Sequence, residues 1–244
     1  TASVLLEKIK KEKEQLIKEK KIKKEKPLPE IKDEEKPFDL PYGWEWVRLG
    51  AITYLITSGS RDWAKYYSSE GAKFVRMGNL SRNSFDLRLE NMQHVKPPLE
   101  GEGSRTRLEA NDILVSITGD VGLLGLIPDG FGEAYINQHT AVVRLSHNLR
   151  GKFYPYTFLS DLCKKQFNSP QRGIKNSFRL TDLEYMLVPL PPLNEQNRIA
   201  KRIEQLMALC DELEASIEQS KQESENLMKA VLHEAFTAKE EILN

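Results

Sequence analysis

The side chains best suited to chemistry in this 244-residue chain lie in one run of hydroxyl, basic and aromatic residues, 58–67. Hydroxyl groups and lysine suit phosphate oxygens, and arginine is the usual bidentate partner of guanine in the major groove. A glycine in the run allows close approach of a backbone. The pattern indicates contact with nucleic acid, and an aromatic-rich loop packed on its own domain is the alternative. The candidate contact residues here are Ser60, Arg61, Trp63, Lys65 and Tyr66.

Further polar segments carry similar groups at lower density. The amides of Asn137 and Gln138 suit adenine edges, but such residues also order turns, and both interpretations stay open. Residues 172–177 form a short basic segment with a glycine, for which an ordinary exposed loop is the alternative. The additional candidates, which include positions in a strand and in a glycine-rich loop, are Arg76, Asn79, Arg105, Gln138, Lys175, Asn176 and Ser177.

Catalytic patterns do not appear in the sequence. The glycines at 119–125 lack the Lys-Ser/Thr pair of a phosphate-binding loop and the spacing of a dinucleotide site, so a β-turn explains them better. Residues 190–193 share two prolines with a base-methyltransferase loop but lack its polar residue. The 4 histidines have no paired metal-ligand spacing. We therefore predict a chain without a metal site or catalysis of its own.

Composition excludes a membrane span and separates the chain into three parts. No stretch approaches the ~18 consecutive apolar residues of a transmembrane helix, and 2 cysteines fit a reducing cytoplasm better than a disulfide framework. The net charge of zero combines +3 for residues 1–36, +2 for 37–192 and −5 for 193–244. The last part contains no glycine and no proline, which predicts a long helix.

Apolar spacing predicts helices at both ends. Residues 193–244 alternate apolar steps of four and three, which is the heptad seam of a coiled coil. Residues 1–26 place apolar side chains at helical spacing in a Lys/Glu-rich run, for which a solvated charged tail is the alternative. The prolines of residues 27–37 predict an extended linker. The seam consists of Ile199, Ile203, Leu206, Cys210, Leu213, Ile217, Leu227 and Val231, with Leu5, Ile9 and Leu16 of the same chain or of a second copy as its partners.

Residues 38–192 form the globular part, because all 14 glycines lie within it. Runs of β-type residues between turn signals predict strands. Helical pattern covers 154–167 and, briefly, 183–186. We expect an α+β domain with a β-rich core, and a length of ~155 residues suffices to bury one. The predicted strands are 46–49, 74–77, 113–117, 123–127 and 141–145.

Five segments, taken in chain order, resemble the specificity (S) subunit of type I restriction-modification systems. They are 40–50 (LPYGWEWVRLG), 74–80 (FVRMGNL), 111–119 (NDILVSITG), 136–139 (INQH) and 189–199 (PLPPLNEQNRI), and LMALCD at 206–211 resembles the family's spacer helix. The resemblance covers essentially the whole chain. A family subunit normally has two target recognition domains and two spacer helices, so a chain with one domain departs from the pattern.

The resemblance implies the C-terminal half of such a subunit, beginning in the central spacer at Thr1. A naturally halved subunit that dimerises is the other possibility. In either case the resemblance implies one β-rich target recognition domain flanked by long helices that form an antiparallel coiled coil. The domain would read one half of a bipartite target in double-stranded DNA, and the coiled coil would fix the distance between the halves.

The resemblance also implies partners that supply the chemistry. Methyltransferase (M) subunits would dock along the helices and bring S-adenosylmethionine, and a restriction (R) subunit would bring ATP and magnesium, with no cofactor in this chain. A homodimer through the helices is expected where the other half is absent. The alternative function is a helical assembly protein whose middle domain binds no DNA.

Overall fold

The computed structural model describes residues 1–24, 26–97, 103, 106–169 and 177–242. The chain divides into two compact units, residues 1–197 and residues 198–244. The first unit contains an N-terminal helix and a β-rich domain, and the second consists of helix. This architecture confirms the predicted α+β class. No described helix is long and apolar enough to cross a membrane.

The N-terminal helix α1 spans Ala2–Lys18 and is shorter than the predicted 1–26. It ends where Lys20 adopts a left-handed conformation with φ of 57° and the amides of Lys20 and Lys21 donate back to carbonyls of the last turn. These bonds form a Schellman ending. Because the position holds neither glycine nor proline, no stop signal precedes Pro27 in the sequence.

One face of α1 is buried within the first unit. The helix contacts a 3-10 helix at Leu49–Ile52, and the Nζ of Lys13 donates to the carbonyl of Gly50 at 2.8 Å. The N-terminal segment is therefore a packed element, which rules out the solvated tail. The buried side chains are Ala2, Leu5 and Ile9, and Leu16 is partly buried.

The linker at 27–37 is fastened to the domain by Arg48, which is 8% exposed. The guanidinium donates to both carboxylate oxygens of Glu35, at 2.7 and 2.8 Å, and to the carbonyl of Tyr185 at 2.9 Å. The backbone amide of Lys32 also donates to Glu35 at 2.9 Å. This amide, and then the guanidinium, hold the pKa of Glu35 below its ordinary value.

The described strands form three sheets. The strands are β1 Glu45–Arg48, β2 Thr53–Ser58, β3 Tyr67–Ser68, β4 Ala72–Val75, β5 Gln93–Val95, β6 Ile113–Ser116, β7 Leu124–Leu126, β8 Ala134–Ile136, β9 Thr140–Leu145 and β10 Leu187–Leu190. Strands β1 and β10 pair antiparallel, β2-β9-β6-β7 form an antiparallel sheet, and β3-β5-β4-β8 form a mixed sheet in which β4 and β8 are parallel.

All five predicted strands occur, with small shifts at their ends. The predicted set left out β2, β3, β5, β8 and β10. Strand β10 contains Pro189, which argues against a strand, but the proline lies opposite Trp46 in a two-stranded sheet, where a missing amide is tolerated. The helical pattern at 154–167 becomes two helices, because Ser160 is extended with φ −70° and ψ 158°. The short helices are α2 Phe153–Leu159, α3 Asp161–Asn168 and α4 Leu180–Tyr185.

The core lies between the four-stranded sheets. A main cluster joins apolar side chains of β4, β6, β8 and β9, and a second cluster consists of Trp63, Phe74, Val95 and Tyr135. Because β8 supplies both clusters and leads directly into β9, the short connection at 137–139 lies where the two sheets meet. The main cluster is Val75, Leu80, Leu108, Leu114, Ile127, Phe131, Ala134, Ile136 and Val142.

The C-terminal helix α5 spans Leu193–Ile242, which agrees with the predicted 193–244. In the second unit its apolar seam faces solvent over the described side chains from Leu206 to Val231, where the aliphatic members are 45–67% exposed. Ile199 and Ile203 are partly buried. Pairing of this seam with α1 stays a prediction. The exposed seam residues are Leu206, Cys210, Leu213, Ile217, Leu227 and Val231.

Candidate nucleic-acid interface

The loop after β2 carries the first set of predicted contact residues. Ser60 is partly buried and forms an isolated β-bridge with Asn137. Arg61 and Lys65 are exposed, and the chain passes between them into a 3-10 helix at Trp63–Tyr66. The loop therefore presents two cationic side chains to solvent. Its backbone is held at one end by the bridge between Ser60 and Asn137.

Trp63 belongs to the core, so its prediction as a DNA contact is wrong. Its side chain is 3% exposed, and its ring centroid lies 4.9 Å from that of Phe74 and 5.2 Å from that of Tyr135. Tyr66 is partly buried with its ring edge-on to Trp63, and the Nζ of Lys65 lies 5.0 Å from the Tyr66 centroid. An aromatic side chain in a polar loop anchors the loop as readily as it stacks on a base.

Asn79 also has a structural role, so its prediction as a DNA contact is wrong as well. The side chain is 4% exposed. Its Oδ1 accepts from the backbone amide of Arg76 at 2.9 Å, and its Nδ2 donates to the carbonyl of Arg88 at 2.8 Å. Arg76 itself is partly exposed, with its guanidinium 3.5 Å from the carbonyl of Asn91. Of the pair, Arg76 has the more accessible side chain.

A tight backbone contact joins the loop after β2 to the turn at 137–139. The amide of Gly59 donates to the carbonyl of Asn137 at 3.1 Å. A Cβ atom on Gly59 would lie 2.0 Å from the carbonyl oxygen of Ile136, far inside van der Waals contact. Glycine is therefore required here, and the contact holds Ser60 and Arg61 beside the turn.

A hydrogen-bonded chain of three side chains crosses from this turn to the end of β6. Nε2 of Gln138 lies 2.9 Å from Nε2 of His139, and Nδ1 of His139 lies 3.2 Å from Oγ1 of Thr118. Sequence reasoning included Gln138 but missed His139 and Thr118. The available signal was the position of Thr118 just after a predicted strand and of His139 beside two amides.

These residues line two open clefts. The first, of about 520 Å³, lies between the loop after β2 and the chain of Thr118, His139 and Gln138. The second, of about 440 Å³, lies between Arg76 and the turn. Both clefts include His139, and we call their combined lining the recognition face. Its residues are 58–61, Arg76–Asn79, Glu90, Asn91, Thr118 and 137–139.

The turn that follows Thr118 is held by an ion pair. Arg82 donates to the carboxylate of Asp120 and, at 3.4 Å, to the carbonyl of Val121. Ser177 is partly buried and forms an isolated bridge with Thr118. Ser177 thus lies beside Thr118, which lines the first cleft. The predicted contacts Arg105, Lys175 and Asn176 lie outside the described residues.

Two buried ionisable groups of the domain, Tyr135 and Asp112, have partners within the fold. The hydroxyl of Tyr135 donates to Glu133 at 2.6 Å, and burial raises the pKa of Tyr135 to about 12. Burial likewise raises the pKa of Asp112, while Arg144 opposes it through bonds at 2.7 and 2.8 Å. Within the described ranges, no group of three or more His, Cys, Asp or Glu residues could hold a metal ion.

Residues 41–220 match the family described as type I restriction modification DNA specificity domain. The specificity subunit of the Escherichia coli type I restriction enzyme EcoAI is 34% identical over 246 residues, which cover 96% of this chain and 40% of that protein. The EcoEI specificity subunit of Escherichia coli is 28% identical over 245 residues, with 96% and 41% covered. The chain therefore spans about two fifths of the length of these relatives.

Two solved structures share the fold. One comes from a study of assembly and conformational transition of the type I R-M system, with a TM-score of 0.63, 23% identity and coverage of 96% of this chain and 54% of that one. The other is the HsdS subunit from Thermoanaerobacter tengcongensis, with a TM-score of 0.56, 22% identity and coverage of 88% and 50%. The chain thus belongs to the family of type I restriction modification DNA specificity domains.

Proposed function

We propose that this chain reads one half of a bipartite target in double-stranded DNA within a type I restriction-modification complex and performs no catalysis itself. The recognition face carries this proposal. It combines amides, hydroxyls and the exposed guanidinium of Arg61 on a backbone fixed by the Gly59 contact. Such groups suit phosphates and base edges. The names of the relatives, which are specificity subunits, support the same role.

Helix α5 is proposed as the surface for protein partners. Residues 193–244 have a charge of −5, which phosphates would repel, and the described seam is apolar and exposed. Methyltransferase subunits, and through them a restriction subunit, would dock there and bring S-adenosylmethionine, ATP and magnesium. A second copy of the chain is a further candidate for the same seam.

The helices would also set the spacing between half-sites. At ~1.5 Å per residue, the 50 residues of α5 extend about 75 Å. DNA half-sites one turn apart lie about 34–36 Å from each other. A coiled coil of this length could therefore bridge the two half-sites and still leave surface for subunits. We place this assembly in the cytoplasm.

The net charge of the globular domain indicates how DNA affinity and sequence preference are divided between this chain and its partner subunits. A net charge of +2 over residues 37–192 is too small for strong binding to DNA of any sequence. Partner subunits would therefore supply much of the affinity, and this domain would supply the sequence preference. The complex, rather than the isolated chain, is the appropriate material for binding experiments.

Replacing Arg61 by Ala in the reconstituted methyltransferase complex tests the proposal. If the guanidinium reads guanine, the variant should lose about 1–3 kcal/mol in binding the cognate duplex and accept other bases at one position. The matched control is Lys36→Ala, which removes one positive charge from the linker, where Lys36 is paired with Asp33. Affinity and sequence preference measured on a set of single-base variants distinguish the two.

Equal affinity and equal preference for the wild type and Arg61→Ala would remove this arginine from the interface. If, in addition, changing Arg76 and Lys65 leaves the salt dependence of duplex binding unaltered, the domain does not contact DNA. The chain would then be a helical assembly protein, whose exposed seam on α5 recruits partners.

A further inference from the structure

A hydrogen bond to His139 holds the side chain of Gln138. An amide nitrogen can only donate, so the 2.9 Å contact between the Nε2 atoms of Gln138 and His139 requires the imidazole nitrogen to accept. The ring proton is then on Nδ1, which donates to Oγ1 of Thr118 at 3.2 Å. The hydrogen bonds therefore run in one direction, from Gln138 through His139 to Thr118.

This orientation leaves a defined pair of groups on Gln138. Nε2 has a second hydrogen, and Oε1 remains an acceptor, so one donor and one acceptor lie side by side at the first cleft. Adenine presents the complementary pair in the major groove, with N7 accepting and the N6 amino group donating. Guanine presents two acceptors there, which would face Oε1 unfavourably.

The backbone beneath Gln138 is held in place, so little freedom is lost when a base binds. The amide of His139 donates to Oδ1 of Asn137 at 3.1 Å, and the carbonyl of Asn137 accepts from Gly59 at 3.1 Å. Gln138 is partly buried and shares the first cleft with Arg61. A polar group held by its neighbours recognises a base edge at lower entropic cost than a free one.

We infer that Gln138 reads an adenine of the target through N6 and N7, and that His139 and Thr118 are positioning residues that orient its amide. This inference rests on the proposed function, because it requires the recognition face to meet the major groove. To the proposed function it adds the identity of one target base and the three hydrogen-bonded side chains that recognise this base. Gln138 and Arg61 would then read an adenine and a guanine from the same cleft.

The test begins with the full protein reconstituted with its methyltransferase subunits and a pool of randomised duplexes, which yields the preferred target. At the adenine that Gln138 reads, other bases should weaken binding by the wild type about 5- to 150-fold. Gln138→Ala should lose this preference, and Gln138→Glu should shift it toward cytosine, because a carboxylate accepts from the N4 amino group. Gln15→Ala, on an exposed part of α1, is the matched control.

Modified duplexes and a positioning variant sharpen the test. A 7-deazaadenine, which lacks the N7 acceptor, should weaken binding by the wild type but not by Gln138→Ala. His139→Ala should broaden the preference at the adenine position alone, because the amide is then free to reverse. His139→Gln restores an acceptor and should recover part of the preference, which a purely structural loss would not do.

The competing role for Gln138 is a contact with the sugar-phosphate backbone. Residues 136–139 are among the segments that resemble the family as a whole, and a residue shared by proteins with different targets would suit a part of DNA that does not vary with sequence. Equal weakening on every duplex by Gln138→Ala, with base preferences unchanged, would establish that role and overturn the inference. The inference would also be overturned if the preferred target contained no position at which the preference for adenine is lost in Gln138→Ala. Failure of the proposed function looks different, since the wild-type domain would then confer no sequence preference at all.

Discussion

The recognition face and the exposed seam of α5 differ in both chemistry and support. The face presents amides, hydroxyls and guanidinium groups, and part of it is held by the Gly59 contact and by the chain from Gln138 to Thr118. The seam is apolar on an acidic helix and is exposed from Leu206 to Val231 in the described part. A fixed polar surface suits selection among base edges, whereas an exposed apolar stripe suits burial by another protein. Changes in the two regions should therefore have separable effects.

Trp63→Ala should have the largest effect, because it tests whether the loop after β2 is anchored in the core. Loss of this ring, packed on Phe74 and Tyr135, should lower the free energy of unfolding by about 3–5 kcal/mol. Denaturant unfolding measures the change. Tyr42→Ala, at a fully exposed aromatic, is the control and should change little. Unchanged stability with weakened DNA binding would instead support Trp63 as a DNA contact.

Aspartates in the seam of α5 should disrupt the docking of partner proteins. Leu213→Asp with Ile217→Asp should weaken docking of methyltransferase subunits by at least about 2 kcal/mol, because charges would replace buried anchors. Titration of labelled subunits measures this effect. The control adds two aspartates at exposed polar positions of the same helix, Ser216→Asp with Gln219→Asp. Docking that is equal in the two double variants would show that the seam is not the partner surface.

Gly59→Ala should impair DNA recognition without affecting the docking surface on α5. The new methyl group would meet the carbonyl of Ile136 at 2.0 Å, so the loop must move, at a cost of about 1–3 kcal/mol in stability. Sequence preference should fall while docking of methyltransferase subunits stays unchanged. Gly151→Ala, where no atom lies within 4 Å of the added carbon, is the control. A Gly59→Ala complex with the wild-type preference would contradict the role given to this contact.

Glu35→Gln should have the smallest effect, because it changes a residue outside both regions. The pKa of Glu35 is lowered in the fold, so its contribution is present above the unfolded-state pKa and is lost as pH falls through the folded-state pKa. With a partly exposed carboxylate, we expect the wild type to be more stable by under about 1 kcal/mol at neutral pH. Unfolding measured between pH 7 and the acid range should show this difference shrinking, and a difference that grew on acidification would contradict the assignment.

Local pattern was sufficient for the fold class and for five of the ten described strands. Runs such as Ile113–Ser116 and Thr140–Leu145 are β-rich and bounded by turn residues, so their strands follow from short-range sequence. Strand β10 was missed because Pro189 argues against a strand unless its place in a two-stranded sheet is known. The end of α1 was missed because Lys20 adopts a conformation that more often belongs to glycine.

The site was harder to predict because it depends on contacts between distant residues. Asn79 and Gln138 are both amides in polar surroundings. The Asn79 side chain is buried and bonded to backbone groups, whereas the Gln138 side chain is partly exposed and bonded to the His139 ring. Local sequence cannot separate these outcomes. Thr118 and His139 are 21 residues apart and meet because β6 and β9 pair in register. The side-chain types were therefore predictable, and their grouping was not.

A map of methylated sites in DNA exposed to the reconstituted complex tests the central claim most directly. With the wild-type chain, we predict a bipartite target with a fixed spacing between its halves. With Arg61→Ala, we predict that the spacing and one half stay the same while the other half accepts additional bases. Identical maps for the two complexes, and for complexes that carry Gly59→Ala, would contradict the claim that this domain selects the sequence.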